Sequence, residues 1–177
     1  MTNEVILVNE EDEVIGTMEK LRAHQEGVLH RAFSVFIFNS EGKMLIHRRA
    51  LDKYHSGGLW TNTCCSHPAP GEDTLTSALR RLQEEMGLAC SIKKLFDFTY
   101  RAEVGHGLTE YEFDHVFAGV CNDAPKPDPT EVCDWKWVHL EAVKAEIQLH
   151  PEHFTAWFKI VIPMLEKSIY EKQIPVS

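Results

Sequence analysis

In the stretch TNTCCSHPAPGE, residues 61–72, Cys65 stands two places before His67, and in LTEYEFDH Glu110 stands two places before Glu112. Residues two apart in extended chain share a face. Two strands can therefore aim a histidine and two carboxylates at one point. His24 and His30 precede the first long apolar run, and adding them gives the set His24, His30, His67, Glu110 and Glu112. A nitrogen and oxygen set of this kind, with room for one more ligand, suits Zn²⁺ expanded beyond four-coordination, Mn²⁺ or a similar borderline ion. The competing reading makes the glutamates the solvated face of a strand and His24 and His30 surface loop residues. Spacing alone leaves both open. It also leaves open whether the adjacent Cys64 and Cys65 form a metal clip, a disulfide or a catalytic thiol.

Further along, GEDTLTSALRRLQEEMGL carries Glu84 and Glu85 late in a helical pattern, with Arg81 four residues before Glu85 on the same face. This is either a surface salt bridge, which contributes little, or a carboxylate that holds Mg²⁺ against a diphosphate, since Mg²⁺ keeps few protein ligands and prefers phosphate oxygens.

Elements must position these groups. Apolar or alternating runs at EVILVNE, VLHRAFSVFIFN, KMLIHRRA, KKLFDFTYRAEV, YEFDHVFAGVC and DWKWVHL, each bounded by Gly, Pro, Asn or Asp, predict strands. Ser40, Glu41 and Gly42 form a hairpin loop between residues 28–39 and 43–50. Leu75, Ala78, Leu79, Leu82 and Met86 fall at helical spacing, with Asp73 or Thr74 as N-cap and Gly87 as the stop. NDAPKPDPTEV is a loop, and residues 140–149 and 154–173 are helical, the latter interrupted at Pro163. The order predicts an α+β or layered α/β/α fold.

The 177 residues are 44% hydrophobic and 25% charged, enough for one domain with its own core. A net charge of −9 disfavours nucleic acid and anionic membrane as partners, so an anionic ligand needs a local basic cluster. The acidic start MTNEVILVNEEDEV has neither the charge nor the apolar stretch of a secretory leader, and no run reaches membrane-span length. The odd set Cys64, Cys65, Cys90, Cys121 and Cys133 fits a reducing compartment, and the cytoplasm is expected.

The helix segment resembles a degenerate Nudix box, G-x5-E-x7-R-E-U-x-E-E-x-G-U: Glu72, Arg80, Leu82, Glu84, Glu85, Gly87 and Leu88 match, while Ser66 replaces the first Gly and Arg81 replaces the Glu after the Arg. The flanking TNTCCSHP, RRAL, EKLRAH and EYE are similar to the type I isopentenyl diphosphate isomerases, over about residues 5–158. The resemblance implies a Nudix-type α/β/α sandwich around a mixed β-sheet with additional C-terminal helices. It implies a single catalytic domain over residues 1–177, with a core of about 28–158, read as a monomer. Its ligand would be a small-molecule diphosphate, and its reaction the isomerisation of isopentenyl to dimethylallyl diphosphate.

By the same matching, Cys65 is the catalytic cysteine, and His24, His30, His67, Glu110 and Glu112 hold the first metal, Mn²⁺ or Zn²⁺. Glu85 takes Mg²⁺, with the Cys65 carbonyl nearby. Glu112 doubles as proton donor or relay beside Tyr100, and the Trp157 ring faces the cation. Lys20, Arg49, Lys53 and Arg81 hold the diphosphate, so the Glu-to-Arg81 departure exchanges a water-activating carboxylate for a phosphate-holding cation. A thiol with a reference pKa of about 8.5 serves Cys65 as base. Period two then turns Cys64 to the other face, as a small buried hydrophobe. The alternatives are a Mg²⁺-dependent Nudix pyrophosphohydrolase and a non-catalytic module with a structural metal on His24, His30 and His67.

Overall fold

A computed structural model describes residues 3–172. A hairpin of β1 (Glu4–Val8) and β2 (Val14–Glu19) leads into helix α1 (Lys20–Glu26). Strands β3 (His30–Phe38) and β4 (Met44–Arg49) follow, then the short β5 (Trp60–Thr61) and β6 (Cys64–Ser66). Helix α2 (Thr74–Met86) precedes β7 (Ile92–Glu103), β8 (Thr109–Val120) and β9 (Val132–Val138). The chain then runs through α3 (Leu140–Leu149), a 3₁₀ turn at Pro151–His153 and α4 (Ala156–Lys172).

All the strands join one mixed sheet, as the Nudix-type expectation requires. Its centre is β3, which runs parallel to β8 from His30↔Glu112 to Phe38↔Val120 and antiparallel to β6 at Ser34↔Cys65. Strand β7 closes the other side of β8 with Tyr100 opposite Glu112. Alternation along β3 divides the core into two layers. Phe36 and Phe38 pack with Trp157, Phe158, Val161 and Leu165 of α4, while Phe33, Val35 and Ile37 pack with Ala78, Leu82 and Met86 of α2. The sheet is therefore covered on both faces.

Helix α2 has the caps its sequence predicts. Asp73 accepts from the Thr76 N–H, and Gly87 ends the helix in the left-handed region at φ 64°. The 121–131 loop then completes the terminus: Lys126 N–H donates to Met86 O at 2.8 Å and Asp128 N–H to Glu85 O at 2.9 Å. Only glycine suits position 87, because a Cβ there would meet Lys126 O at 2.7 Å. At the other end, Arg80 grips both oxygens of Glu72 at 2.9 and 3.0 Å, and Glu72 accepts from the Ala69 N–H. This pins the segment after His67 to the helix.

The competing surface-loop reading of His24 fails, since it is on a helix and fully buried, and one expectation also changes. Helix α4 continues through Pro163, because Pro163 lies on the exposed side while Val161, Ile162 and Leu165 stay buried on the other. Burial of that apolar face outweighs one missing hydrogen bond. Among the described residues no helix is long and apolar enough to cross a membrane.

The Arg80 hydrogen bonds hold Glu72 down at about 2, below the usual carboxylate range, so this contact favours the folded state once the unfolded carboxyl ionises. Glu72→Gln is expected to cost about 1 kcal/mol, scaled down for a partly exposed pair. The difference from the parent protein should be complete above about pH 4.5 and fade as pH falls toward about 2. Urea melts at a series of pH values check it; an unchanged difference at low pH contradicts it.

Candidate active site

One cross-strand row builds the centre of the site: Tyr100 on β7, Glu112 on β8 and His30 at the start of β3. Helix α1 brings in His24. Glu19 caps this helix by accepting from the Leu21 and Arg22 N–H groups, and Gly27 stops it in the left-handed region. His67 arrives just after β6.

The ring nitrogens are oriented from behind. His24 Nδ1 lies 2.7 Å from Lys20 O and His30 Nδ1 lies 2.8 Å from Val28 O. Each carbonyl can only accept, so Nδ1 carries the hydrogen and Nε2 turns its lone pair inward. This is how metal-binding imidazoles are usually fixed. Both Nε2 atoms are buried without a hydrogen-bond partner. They converge on Glu112 Oε1, which lies 2.9 Å from His67 Nε2, 3.4 Å from His30 Nε2 and 4.0 Å from His24 Nε2. Around a six-coordinate ion with bonds of about 2.1 Å, neighbouring ligand atoms sit about 3.0 Å apart and opposite ones about 4.2 Å apart. The observed separations fit a divalent ion. Burial favours the neutral imidazole that ligation needs, lowering His24 and taking His67 down to about 4.

Of the five predicted ligands, these four converge with ligand atoms within 4.8 Å of one another. Glu110 does not join that set. It groups instead with His24 and with His55, whose Nε2 is 3.2 Å from Glu110 Oε1.

Tyr100 ties the two carboxyls together, its hydroxyl 2.7 Å from Glu110 Oε2 and 2.6 Å from Glu112 Oε2. One phenolic hydrogen serves only one of these contacts. The other needs a proton on a carboxyl, and the surroundings put it on Glu110. Burial and the neighbouring Glu112 hold the Glu110 carboxyl well above the usual range. Burial also works against ionised Glu112, but His67 and His30 outweigh it and hold that carboxyl low. The pair therefore shares one proton across Tyr100, held on the Glu110 side.

The expected cations meet in the same cavity. Lys20, Arg49, Lys53 and Arg81 line it together with Cys65, Tyr100, Glu112 and Trp157. Burial, and then the nearby Lys53, lower Lys20. Arg49 Nε and Arg81 Nε are buried donors without acceptors. Lys53 pairs with Glu131, and Arg81 reaches Glu84 at 2.6 Å and Glu85 at 2.5 Å. Arg80 turns away to Glu72, and Arg48 is exposed.

Cys65 and Cys64 take opposite faces, as alternation requires: Cys65 packs on the α4 side and Cys64 is fully buried on the α2 side. Cys64 is more than filler, since its thiol lies 3.5 Å from Glu85 Oε2. The ordinary thiol expected at Cys65 is corrected. Burial pushes it well above its usual value, with Arg49 opposing, so the free protein holds a neutral thiol. Trp157 lines the cavity with the Arg49 guanidinium 5.2 Å from its ring centre.

Several lining residues escape the sequence reading: His55, Tyr54, Glu131, Ser34 and Asp114. Asp114 was within reach, because it continues the Glu110, Glu112 alternation on β8. It is buried and accepts from Ser34 Oγ at 2.7 Å.

Residues 28–158 match the NUDIX domain model. The chain is 51% identical over 157 residues to the isopentenyl-diphosphate Delta-isomerase of Pectobacterium atrosepticum, covering 89% of this chain and 88% of that one. It is 45% identical over 172 residues to the enzyme of that name from Serratia proteamaculans, covering 97% and 96%. Among solved structures, a Deinococcus radiodurans protein superposes with a TM-score of 0.70 at 23% identity, covering 82% of this chain and 89% of that one. A MutT protein from Methanosarcina mazei gives 0.66 at 19%, covering 82% and 96%. Those two likenesses speak for the fold.

The geometry predicts that the protein binds one Mn²⁺ through the buried cluster, and that His67→Ala weakens this binding by at least about tenfold. Titration followed by the loss of the free Mn²⁺ electron paramagnetic resonance signal measures it. Equal affinity in parent and variant contradicts the cluster as a metal site.

Proposed function

The chain belongs to the isopentenyl-diphosphate Delta-isomerases of the Nudix superfamily, and from that membership we propose how its side chains divide the work of moving a double bond. The enzyme is an isomerase that takes isopentenyl diphosphate to dimethylallyl diphosphate. The substrate's C3=C4 electron pair takes a proton at C4, leaving a tertiary cation at C3. Loss of a proton from C2 then supplies the pair for the C2=C3 bond. No atom is added or lost, so water must stay out and acid and base must both reach the carbon skeleton.

Glu110, Tyr100 and Glu112 form the acid side, with the proton held on Glu110 passing through the Tyr100 hydroxyl to Glu112, the relay that gives it to C4. The short Tyr100 contacts to Glu110 and Glu112 give a path along which a proton is held and delivered. Cys65 receives the C2 proton. It acts as the thiolate: the resting thiol gives its proton to solvent before the site closes, a loss that Arg49, which already opposes burial there, favours. Trp157 offers a ring face to the C3 cation, and a desolvated contact of that type contributes about 2 kcal/mol or more. Lys20, Arg49, Lys53 and Arg81 grip the diphosphate, which leaves Arg49 Nε and Arg81 Nε with acceptors.

His24, His30, His67 and Glu112 are the residues for Mn²⁺ or Zn²⁺, with Glu110 at their edge beside His24, and Glu85 is the residue for Mg²⁺. When bound, the first ion sets the proton affinity of Glu112 and the second neutralises diphosphate charge beside Glu85. The whole chain works as one catalytic domain.

One observation carries this reading: a single cavity is lined by both Cys65 and Glu112 and by the four cations. In deuterated water with Mg²⁺ and Zn²⁺, the reduced protein should convert isopentenyl diphosphate to deuterium-labelled dimethylallyl diphosphate without releasing phosphate. Proton and phosphorus NMR follow both. Phosphate release without isomerisation would favour pyrophosphohydrolysis. Cys65→Ala should lose at least about 10²-fold in rate, the scale of a lost general base, while keeping its metal. Activity within a few-fold of the parent removes Cys65 as base.

A further inference from the structure

We propose that His55 is a positioning residue of the metal centre, acting through Glu110; the inference rests on the reading of that centre given above. His55 belongs to none of the motifs that carry the family resemblance, yet it is 4% exposed and faces the cluster. Its Nε2 lies 3.2 Å from Glu110 Oε1, and the ligand atoms of His24, His55 and Glu110 fall within 4.8 Å of one another.

The need for such a residue follows from the two oxygens of Glu110. Oε2 is already engaged by the Tyr100 hydroxyl at 2.7 Å. Oε1 faces His24 Nε2 only at 4.0 Å, beyond hydrogen-bond reach, so His55 is its close neighbour. The Ser56 hydroxyl, 3.1 Å from Nδ1, can donate to it, and in that tautomer the His55 hydrogen sits on Nε2 and points to Glu110. A carboxyl group held at both oxygens keeps one orientation toward an ion, which would bind it in place of its proton. Ligating carboxylates commonly need such support, and removing it costs about 10–100-fold in metal affinity.

The backbone is arranged to keep His55 there. Ser56 adopts φ 54°, an uncommon conformation for a residue with a side chain, and Gly58 N–H donates to Arg49 O at 3.0 Å to close the turn. The His55 carbonyl accepts from Arg49 Nη2 at 3.2 Å, and its ring meets Trp157 edge-on at 6.1 Å. One residue thus touches the metal end, a diphosphate cation and the ring that faces the substrate.

The test is Mn²⁺ affinity, read by electron paramagnetic resonance, in parent, His55→Ala, His55→Gln, Glu110→Gln and the double variant His55→Ala/Glu110→Gln. His55→Ala should weaken binding about tenfold. His55→Gln, whose amide can donate to Glu110, should recover most of the loss. In the Glu110→Gln background, His55→Ala should add nothing. Parent-like affinity in His55→Ala overturns the proposal, as does full additivity in the double variant. A second Mn²⁺ bound by the parent and lost in both His55 variants overturns it in favour of direct ligation. A parent that binds no Mn²⁺ fails the metal-centre reading itself, and the inference with it.

Discussion

The constraint on which the site depends is the buried carboxylate of Glu112. It is 5% exposed, and its two oxygens serve different partners: Oε1 meets the imidazoles, while Oε2 meets Tyr100 at 2.6 Å. An ionised group withdrawn from water costs several kcal/mol unless it is matched by opposite charge and hydrogen bonds. Every element near it contributes to that match. Strand β3 supplies His30 in register, β7 supplies Tyr100, β6 hands over to His67, and α1 swings His24 across the opening. Neutral imidazoles, two of them with inward lone pairs, do not neutralise a carboxylate; a divalent ion would. In the proposed reading the metal centre and the acid would then be one device, because an ion held by Glu112 would also set how readily Glu112 and Tyr100 give up a proton.

The second half of the cavity answers a different demand. A Nudix hydrolase gathers carboxylates around its metals to activate water, whereas an isomerase must hold a diphosphate uncleaved beside a carbocation. Arg81 is where this chain departs from the usual box. It stands in the box where a glutamate is usual, and its guanidinium binds Glu84 and Glu85 while keeping Nε unpartnered inside the cavity. The rest of the box keeps a structural duty, with Glu72 and Arg80 joined away from the site and Gly87 allowing the 121–131 loop to close on α2. That loop brings Glu131 to Lys53 and Arg81.

What was legible in the sequence had strong local periodicity. Alternation located the long strands, divided Cys64 from Cys65 and joined Glu110 with Glu112. Capping residues bounded α2. Helix α1 escaped because seven residues bury only Ala23 and His24, too few for an amphipathic pattern, and β2 escaped because its side chains are largely exposed. Pro163 misled because a residue's own rule cannot report the burial of its neighbours. Cys65 was assigned an ordinary thiol because burial is a property of the assembled layers, not of the motif. His55 gave no signal at all: its reach to Glu110 comes from a turn closed by Arg49 and Gly58, and no spacing encodes that. The family resemblance named the candidate ligands without their grouping, in which Glu110 stands apart with His55.

The most direct test of the account is the position of the ion relative to Glu112. Crystals soaked in Mn²⁺ and measured by anomalous diffraction at the manganese edge should show a peak bonded to Glu112 and to Nε2 of His24, His30 and His67, at the roughly 2.1 Å expected for such bonds. A peak at Glu85 with none at Glu112 would contradict it.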